Sequence, residues 1–434
     1  MKKYFEIYLV NTMYIINLSI MRKQKLLYSE KFKNSINKLK IEGSYRFFNQ
    51  IQRCAGKHPK ALWKRDHNNT DMTDVIVWCS NDYLGMSQNE LVINKMINSI
   101  KSMGVGSGGT RNISGNSVEI VNLENEIAAL HNKEKAMVFT SGYIANETTI
   151  STLLNILENS VVFSDEKNHA SIISGIKKSN ARKEIFKHND LDHLERLIKK
   201  YPYDTNKLIV FESVYSMDGD FGDIEGIIKI AKKYNALTFL DEVHAVGMYG
   251  DTGAGVADKL GLGNQIDIIQ GTLGKAYGTI GGYISSTDLI CDVIRSYASG
   301  FIFTTAIPPA LASAANASIQ YLKKSKVERT LQQKNTILLK KYLSKENISF
   351  LDNESHIIPV MVYNPKKCKE ISNILLNSFG HYIQPINYPT VPKGLERLRI
   401  TPGPLHTEEM ISDLTNALKY AFMKTNEIDY IKSA

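Results

Sequence analysis

The stretch Asp267-Ile268-Ile269-Gln270-Gly271-Thr272-Leu273-Gly274-Lys275-Ala276-Tyr277-Gly278 decides how this chain reads. Thirty-four positions before its lysine stands Asp241, within Leu237-Thr238-Phe239-Leu240-Asp241-Glu242-Val243-His244. Each segment is an apolar run of strand length that stops abruptly at a polar group. In an open α/β sheet, ligands bind beyond the carboxyl ends of the strands, which places Asp241, His244 and Lys275 at one sheet edge. A carboxylate, an imidazole and a lysine held there suit pyridoxal phosphate. The lysine forms the Schiff base, the carboxylate pairs with the pyridinium nitrogen, and the histidine hydrogen-bonds the ring hydroxyl.

Outward from these two segments, strand-like and helical runs alternate for over two hundred residues. Val75-Ile76-Val77-Trp78 is the first clear strand, followed by 136–139, 160–163, 207–211, 237–240 and 266–269. Helical runs such as 144–157 and 191–200 lie between them, which predicts an α/β fold with a mostly parallel sheet flanked by helices. After Pro308-Pro309 the pattern changes to one long helical run over 310–343, short strands at 357–362 and 397–400, and a last helix over 408–423. Helical spacing of Phe32, Ile36 and Leu39 marks a helix at 28–40, separated from the first strand by the polar cluster Asp66-His67-Asn68-Asn69-Thr70. The expected division is an N-terminal extension and helical arm (1–74), a large cofactor-binding α/β domain (75–309) and a smaller C-terminal α+β domain (310–434).

A chain of 434 residues is too long for one ordinary core, and 43% hydrophobic with 22% charged residues excludes a mainly disordered protein. The net charge of +9 comes from scattered lysines on helical surfaces rather than from a basic block, so nucleic acid is not an expected partner. Cys54, Cys79, Cys291 and Cys368 show no metal-ligand or redox spacing and read as free thiols in a reducing compartment. Met1-Lys2-Lys3 and the apolar residues after it weakly imitate a leader, but Glu6 interrupts them, no small-residue cleavage site follows, and Met21 is an equally good start. No stretch is long and apolar enough to span a membrane, so the expected location is the cytoplasm.

Thr140-Ser141-Gly142-Tyr143 joins a strand to a helix, where free N–H groups attract phosphate and glycine permits close approach. Alone it is a weak signal; beside a phosphate-bearing cofactor on Lys275 it becomes the natural cradle, helped by Thr272 and the Thr304-Thr305 pair. His169 lies just past another strand end, placed to stack on a planar ring. Two patterns compete with this reading. Gly104-Val105-Gly106-Ser107-Gly108-Gly109 satisfies the dinucleotide-binding glycine pattern, but a helix-like run precedes it where a strand is required. Asp241-Glu242 after a strand imitates the acidic motif of nucleotide hydrolases, yet Gly271-Thr272-Leu273-Gly274-Lys275 has the wrong glycine spacing for a phosphate loop.

Longer runs carry a family likeness. Arg53-Cys54-Ala55-Gly56-Lys57-His58-Pro59, Val77 to Met86, Gly108-Gly109-Thr110-Arg111-Asn112-Ile113-Ser114-Gly115, Phe211 to Asp220, Asp241 to Gly250, Gly271 to Gly282, and Gln384 to Pro392 closely resemble the α-oxoamine synthases. These are fold-type I pyridoxal-phosphate enzymes, and the resemblance is strongest to their 5-aminolevulinate synthase branch. It runs from about Glu42 to about Met423, with no departure at a catalytic position. The resemblance implies a homodimer with active sites at the subunit interface, using glycine and succinyl-CoA. It implies that Lys275 carries the Schiff base, Asp241 keeps the ring nitrogen protonated and His169 stacks on the ring. His244 and Ser216 would meet the ring hydroxyl region, Thr272 the phosphate, and Thr304 and Thr305 the phosphate from the other subunit. Arg399 would hold the glycine carboxylate, with Asn81 orienting the amino acid. Arg46, Ser164, Lys183 and Thr390 would hold the acyl-CoA, with Thr110 and Asn112 shaping the acyl pocket.

These roles agree with elementary chemistry. Glycine's α-proton is lost only when the developing charge has a sink, which a ring kept protonated by Asp241 supplies, and the freed Lys275 is placed as general base. Related synthases use acetyl-, pimeloyl- or palmitoyl-CoA, so glycine C-acetyltransferase chemistry is the alternative. A succinyl tail ends in a carboxylate; Arg46 suits it by bidentate pairing, and polar Thr110 and Asn112 suit it better than a fatty chain.

Overall fold

The computed structural model of the protein describes residues 13, 14, 21, 25, 27–65 and 72–433, with side chains described through residue 426. The leader-like opening residues and the polar cluster 66–70 lie outside the described residues. Three strands come first: β1 (Gln50–Arg53), β2 (Lys60–Lys64) and β3 (Met72–Val77). Seven follow: β4 (Lys135–Phe139), β5 (Val161–Asp165), β6 (Arg182–Phe186), β7 (Lys207–Glu212), β8 (Leu237–Asp241), β9 (Ile268–Thr272) and β10 (Gly282–Ser286). The last are β11 (Ile358–Met361), β12 (His381–Tyr382), β13 (Pro385–Ile386) and β14 (Arg397–Ile400).

The seven middle strands form one sheet in the order β4-β10-β9-β8-β7-β5-β6, with β10 antiparallel to both its neighbours and the β9-β8-β7-β5-β6 pairs parallel. Successive side chains on a strand point to opposite faces, and here both faces are buried. Phe163, Ile209, Phe211, Leu240 and Ile269 pack into the core on one face, and Val162, Leu208, Val210, Phe239 and Ile268 into the core on the other. That two-sided burial is why these strands appear in the sequence as unbroken apolar runs. Their carboxyl ends share a further property. β5, β7, β8 and β9 end in Asp165, Glu212, Asp241 and Thr272, so one edge of the sheet is lined with polar groups.

A third core holds Leu339, Ile358, Val360, Leu375, Leu398, Ile400, Leu414 and Leu418, together with Trp78. The expected boundary at 74/75 is corrected here, because it cuts through β3. β12 pairs parallel with β3, and β1, β2 and β3 form a four-stranded sheet with it. Residues 50–78 therefore pack with the C-terminal part of the chain rather than forming an extension or opening the large sheet. Burial drives this: Trp78 is fully enclosed and its Nε1 donates to His381 Nδ1 at 3.1 Å. The expected helix over 310–343 is two helices, Pro309–Lys324 and Val327–Lys345, because the backbone of Ser325 turns extended between them. The glycine run from Gly104 follows the helix Glu90–Met103, which removes the dinucleotide-binding reading.

The Lys275 loop is locked by a glycine. Gly278 has φ +69°, and a Cβ there would collide with the backbone of Met86 and Ser87. Gly278→Ala is expected to cost about 3 kcal/mol of stability, combining left-handed strain with overpacking. Gly261 has a similar φ (+70°) but open space around it, so Gly261→Ala should cost only about 1 kcal/mol. Denaturant midpoints of the two variants check this difference.

Candidate active site

Lys275 follows β9, and His244 follows β8 on the neighbouring strand. Lys275 Nζ lies 3.0 Å from His244 Nε2, and His244 Nδ1 lies 2.8 Å from the Tyr83 hydroxyl. Arg399, on β14, donates from Nη2 to the Tyr83 oxygen at 2.9 Å and reaches His244 Nδ1 at 3.4 Å. A guanidinium can only donate, so His244 Nδ1 is an acceptor and its proton resides on Nε2. Nε2–H then faces Lys275 Nζ, an arrangement that favours the unprotonated amine. Charge and burial agree with this. Lys275 keeps part of its surface open, but its amine sits deep among protein atoms, and burial draws it down to about 7 against the opposing pull of Asp241. Burial, followed by the charges of Lys275 and Arg399, likewise holds His244 well below the ordinary imidazole range.

Arg399 is fixed further by donation from Nε to the Ser216 carbonyl at 2.7 Å and from Nη1 to Asn81 Oδ1 at 3.4 Å. Four residues expected from the sequence, Lys275, His244, Arg399 and Asn81, thus lie in one hydrogen-bonded chain, with Ser216 joining through its backbone. Asp241 and His169 are joined by a second chain. Asp241 Oδ2 accepts from Asn146 Nδ2 at 2.7 Å, Asn146 Nδ2 reaches Ser171 Oγ at 3.0 Å, and Ser171 Oγ lies 2.7 Å from His169 Nδ1. His169 caps the helix Ala170–Lys177 and remains exposed, as a ring free to stack requires.

The helix Gly142–Ile156 starts at the end of β4, with Ser141 as its cap accepting from Ile144 N at 3.2 Å. A Cβ at Gly142 would sit 3.3 Å from Gln270 Nε2 and 3.5 Å from Thr272 Oγ1, so glycine keeps this helix start open beside Thr272. The Tyr143 ring stands edge-on to His169, with centroids 6.4 Å apart.

The remaining expected residues form separate groups. Arg46 Nη2 donates to Thr390 Oγ1 at 2.7 Å, and both line a cavity of about 390 Å³. Thr110 Oγ1 donates to Asn112 Oδ1 at 2.6 Å, and Thr110 forms a β-bridge to Thr305, beside Thr304. Lys183 is exposed on β6, next to β5, where Ser164 is buried and its hydroxyl bonds to Asn168 Nδ2 at 2.9 Å. Among the described residues, no hydrogen bond links Arg46, Thr390, Thr110, Asn112, Thr304 or Thr305 to Lys275, Asp241 or His244.

Sequence reasoning missed Tyr83, Asn146 and Glu212. Glu212 ends β7 and accepts from His169 N at 2.5 Å; burial, then the nearby charge of Asp241, pushes its carboxyl well above the usual range. The signal was available, since Glu212 closes an apolar strand just as Asp241 does. Tyr83 and Asn146 carried no such mark.

A family model, Aminotransferase class I and II, matches residues 73–418. The 5-aminolevulinate synthase of Rickettsia bellii is 52% identical over 399 residues, covering 92% of this chain and 95% of that protein. The 5-aminolevulinate synthase 1 of Cereibacter sphaeroides is 50% identical over 391 residues, covering 90% and 96%. The chain belongs to the class I and II aminotransferase family, in its 5-aminolevulinate synthase branch. A solved serine palmitoyltransferase from S. paucimobilis, with bound pyridoxal phosphate and myriocin, superposes with a TM-score of 0.84 at 28% identity, covering 92% of this chain and 99% of that one. The fold is that of the fold-type I pyridoxal-phosphate-dependent transferases.

The family's cofactor suits the donor set found here. Burial raises the Asp241 carboxyl, against hydrogen bonds from Asn146 and Val243 N and the charge of Lys275. No cation among the described residues bonds it directly, so a cationic ring N–H would satisfy its charge. Lys275 offers a neutral amine, and the helix start at Gly142 offers free N–H groups for a phosphate. In the cofactor-free protein, acylation of Lys275 by an active ester, which loses its alcohol as leaving group, should rise with pH through a midpoint near 7, because the reactive neutral form prevails above that value. Peptide mass spectrometry checks this; a midpoint near the ordinary 10.5 would show that burial does not neutralise the amine.

Proposed function

We infer that this chain condenses glycine with succinyl-CoA to give 5-aminolevulinate, CoA and carbon dioxide, the entry step to tetrapyrroles, as a pyridoxal-phosphate-dependent homodimer of the cytoplasm. The observation that carries the reading is the chain from Lys275 Nζ through His244 and Tyr83 to Arg399. It puts a neutral base and a carboxylate-binding cation in one rigid network. When bound, pyridoxal phosphate supplies the electron sink into which the α-carbon's charge spreads. Arg399 holds the glycine carboxylate, with Asn81 orienting the amino acid. Lys275 Nζ, drawn down to about 7 by burial and set 3.0 Å from His244 Nε2, accepts the α-proton. Asp241 would keep the ring nitrogen protonated, His169 would stack on the ring, and Ser141, Gly142, Tyr143 and Thr272 would hold the phosphate.

The acyl-CoA is held by Arg46, Thr390, Lys183 and Ser164, with Arg46 reading the terminal carboxylate and Thr110 and Asn112 shaping the acyl pocket. Among the described residues Arg46, Thr390, Thr110 and Asn112 make no hydrogen bond to Lys275, which agrees with a second copy completing each site, Thr304 and Thr305 then reaching toward the partner's phosphate. The apolar residues beside them support the same reading. Val105, Ile113 and Phe303, near Thr110 and Thr304 in the chain, are 76%, 76% and 79% exposed, apolar surface that a second copy would cover. No helix among the described residues is long and apolar enough to cross a membrane.

Purified protein given pyridoxal phosphate, glycine and succinyl-CoA should form 5-aminolevulinate, and Lys275→Ala should abolish both the product and the Schiff-base absorbance. Preference for acetyl-CoA in a parallel assay would instead indicate glycine C-acetyltransferase. Arg46→Leu should raise KM for succinyl-CoA by about tenfold or more, with little change for a neutral acyl-CoA. Equal effects on both substrates would remove Arg46 from acyl recognition.

A further inference from the structure

His188 follows β6, outside the residues assigned above, and both its ring nitrogens face carboxylates. Nδ1 lies 3.0 Å from Asp165 Oδ1, and Nε2 contacts Asp220 Oδ2. A carboxylate only accepts, so its close approach at each nitrogen puts two protons and a positive charge on the ring; the Asn189 amide nitrogen, 3.3 Å from Nε2, is spent instead on the Phe221 carbonyl at 2.9 Å. The two acids belong to different loops. Asp165 ends β5, four residues before His169, and its side chain is only 1% exposed. Asp220 closes the loop after β7 that carries Ser216. Tyr215, from the same loop, sets its ring edge-on against His188 with centroids 4.4 Å apart. A parallel bridge reinforces the junction: Lys167 Nζ lies 2.5 Å from Asp218 Oδ2, and Asp218 also meets Arg397, two residues before Arg399 on β14.

We propose that His188 is a positioning residue for the cofactor site: as an imidazolium it clamps the 165–169 loop to the 213–220 loop, and so fixes His169 and the Ser216 carbonyl relative to Lys275. The clamp rests on the functional reading only for what the two loops hold. Without the cation, the enclosed Asp165 and the partly exposed Asp220 would face each other uncompensated and push the loops apart. His169 would then lose its setting, and Arg399 the carbonyl that orients it.

The groups facing His188 are Asp165 and Glu166 from the β5 side, and Tyr215 and Asp220 from the loop after β7; Glu166 Oε1 accepts the backbone N–H of His188 at 3.0 Å. The Lys167 ammonium is turned away, to Asp218. Burial opposes the charge on His188, but the hydrogen bonds to Asp165 and Asp220 outweigh it and push the imidazole up to about 9. Because the folded value lies above the ordinary 6.5, the clamp is whole below 6.5 and is lost as pH rises through about 9.

Nitrogen NMR of the full-length, cofactor-free chain with labelled histidine tests the protonation directly, the His188 signals being identified by their absence in His188→Gln. Both nitrogens should carry protons at neutral pH and titrate near 9; a neutral ring at neutral pH overturns the proposal. Titration with pyridoxal phosphate alone tests the consequence. His188→Gln should weaken cofactor affinity by about tenfold or more, and His188→Gln/Asp220→Asn should regain most of it, because the unpaired carboxylate is gone. Unchanged affinity in the single variant, or a double variant no better than the single, overturns the clamp. If His188→Gln does not fold, Asp220→Asn should still lower the His188 titration midpoint, and no shift overturns the pairing. Neither readout uses glycine or succinyl-CoA, so a chain inactive toward those substrates would count against the proposed reaction and not against the clamp.

Discussion

The hydrogen bond between Lys275 and His244 is the constraint on which the rest of the site turns. An amine surrounded by protein cannot keep its hydration shell, so it is held as the free base unless a carboxylate bonds it. Here its direct partner is an imidazole whose other nitrogen is already committed to Tyr83 and Arg399. The protonation state of the lysine and the seating of the guanidinium are therefore one problem. Arg399 lies on β14 of the small sheet and Lys275 follows β9 of the large one, so the hydrogen-bonded chain between them closes only when the two sheets are seated together.

The strand ends show the same conflict between fold and chemistry. Asp165, Glu212 and Asp241 place three acids along a single sheet edge, each buried to 4% exposure or less. Carboxylates so placed destabilise the folded state, and Glu212 and Asp241 are both raised by burial. The apolar faces of the sheet offset this from beneath, where Phe163, Phe211, Phe239 and Leu240 are fully enclosed. Functional sites are where sequences depart from what stability alone would choose.

Much of this was legible before any coordinates. The middle strands declared themselves because burial on both faces demands uninterrupted apolar residues, and Lys275, Asp241 and His244 stood out as polar stops after such runs. β6 was not visible, since Arg182-Lys183-Glu184-Ile185-Phe186 is an edge strand whose outer residues meet solvent. β10 escaped because its Ser285 and Ser286 are buried by hydrogen bonds to Lys135 and Asp267 carbonyls rather than by apolar character. The break at Ser325 was hidden because no glycine or proline marks it in Leu322-Lys323-Lys324-Ser325-Lys326-Val327. Tyr83 and Asn146 were missed for a deeper reason. Their roles come from partners remote in sequence, Arg399 and Asp241, and nothing local in their neighbourhoods announces those contacts.

The pairing of β3 with β12 reaches into the protein's synthesis. Trp78 and His381 are 303 positions apart, and the core they share cannot close until β14 has been made. While the strands of the large sheet emerge, β3 must wait with an unpaired edge and an exposed tryptophan beside it. A chain cut short before β12 would leave that edge open for good, so an incomplete product of this gene is marked for aggregation or removal by its first strands rather than by its missing end.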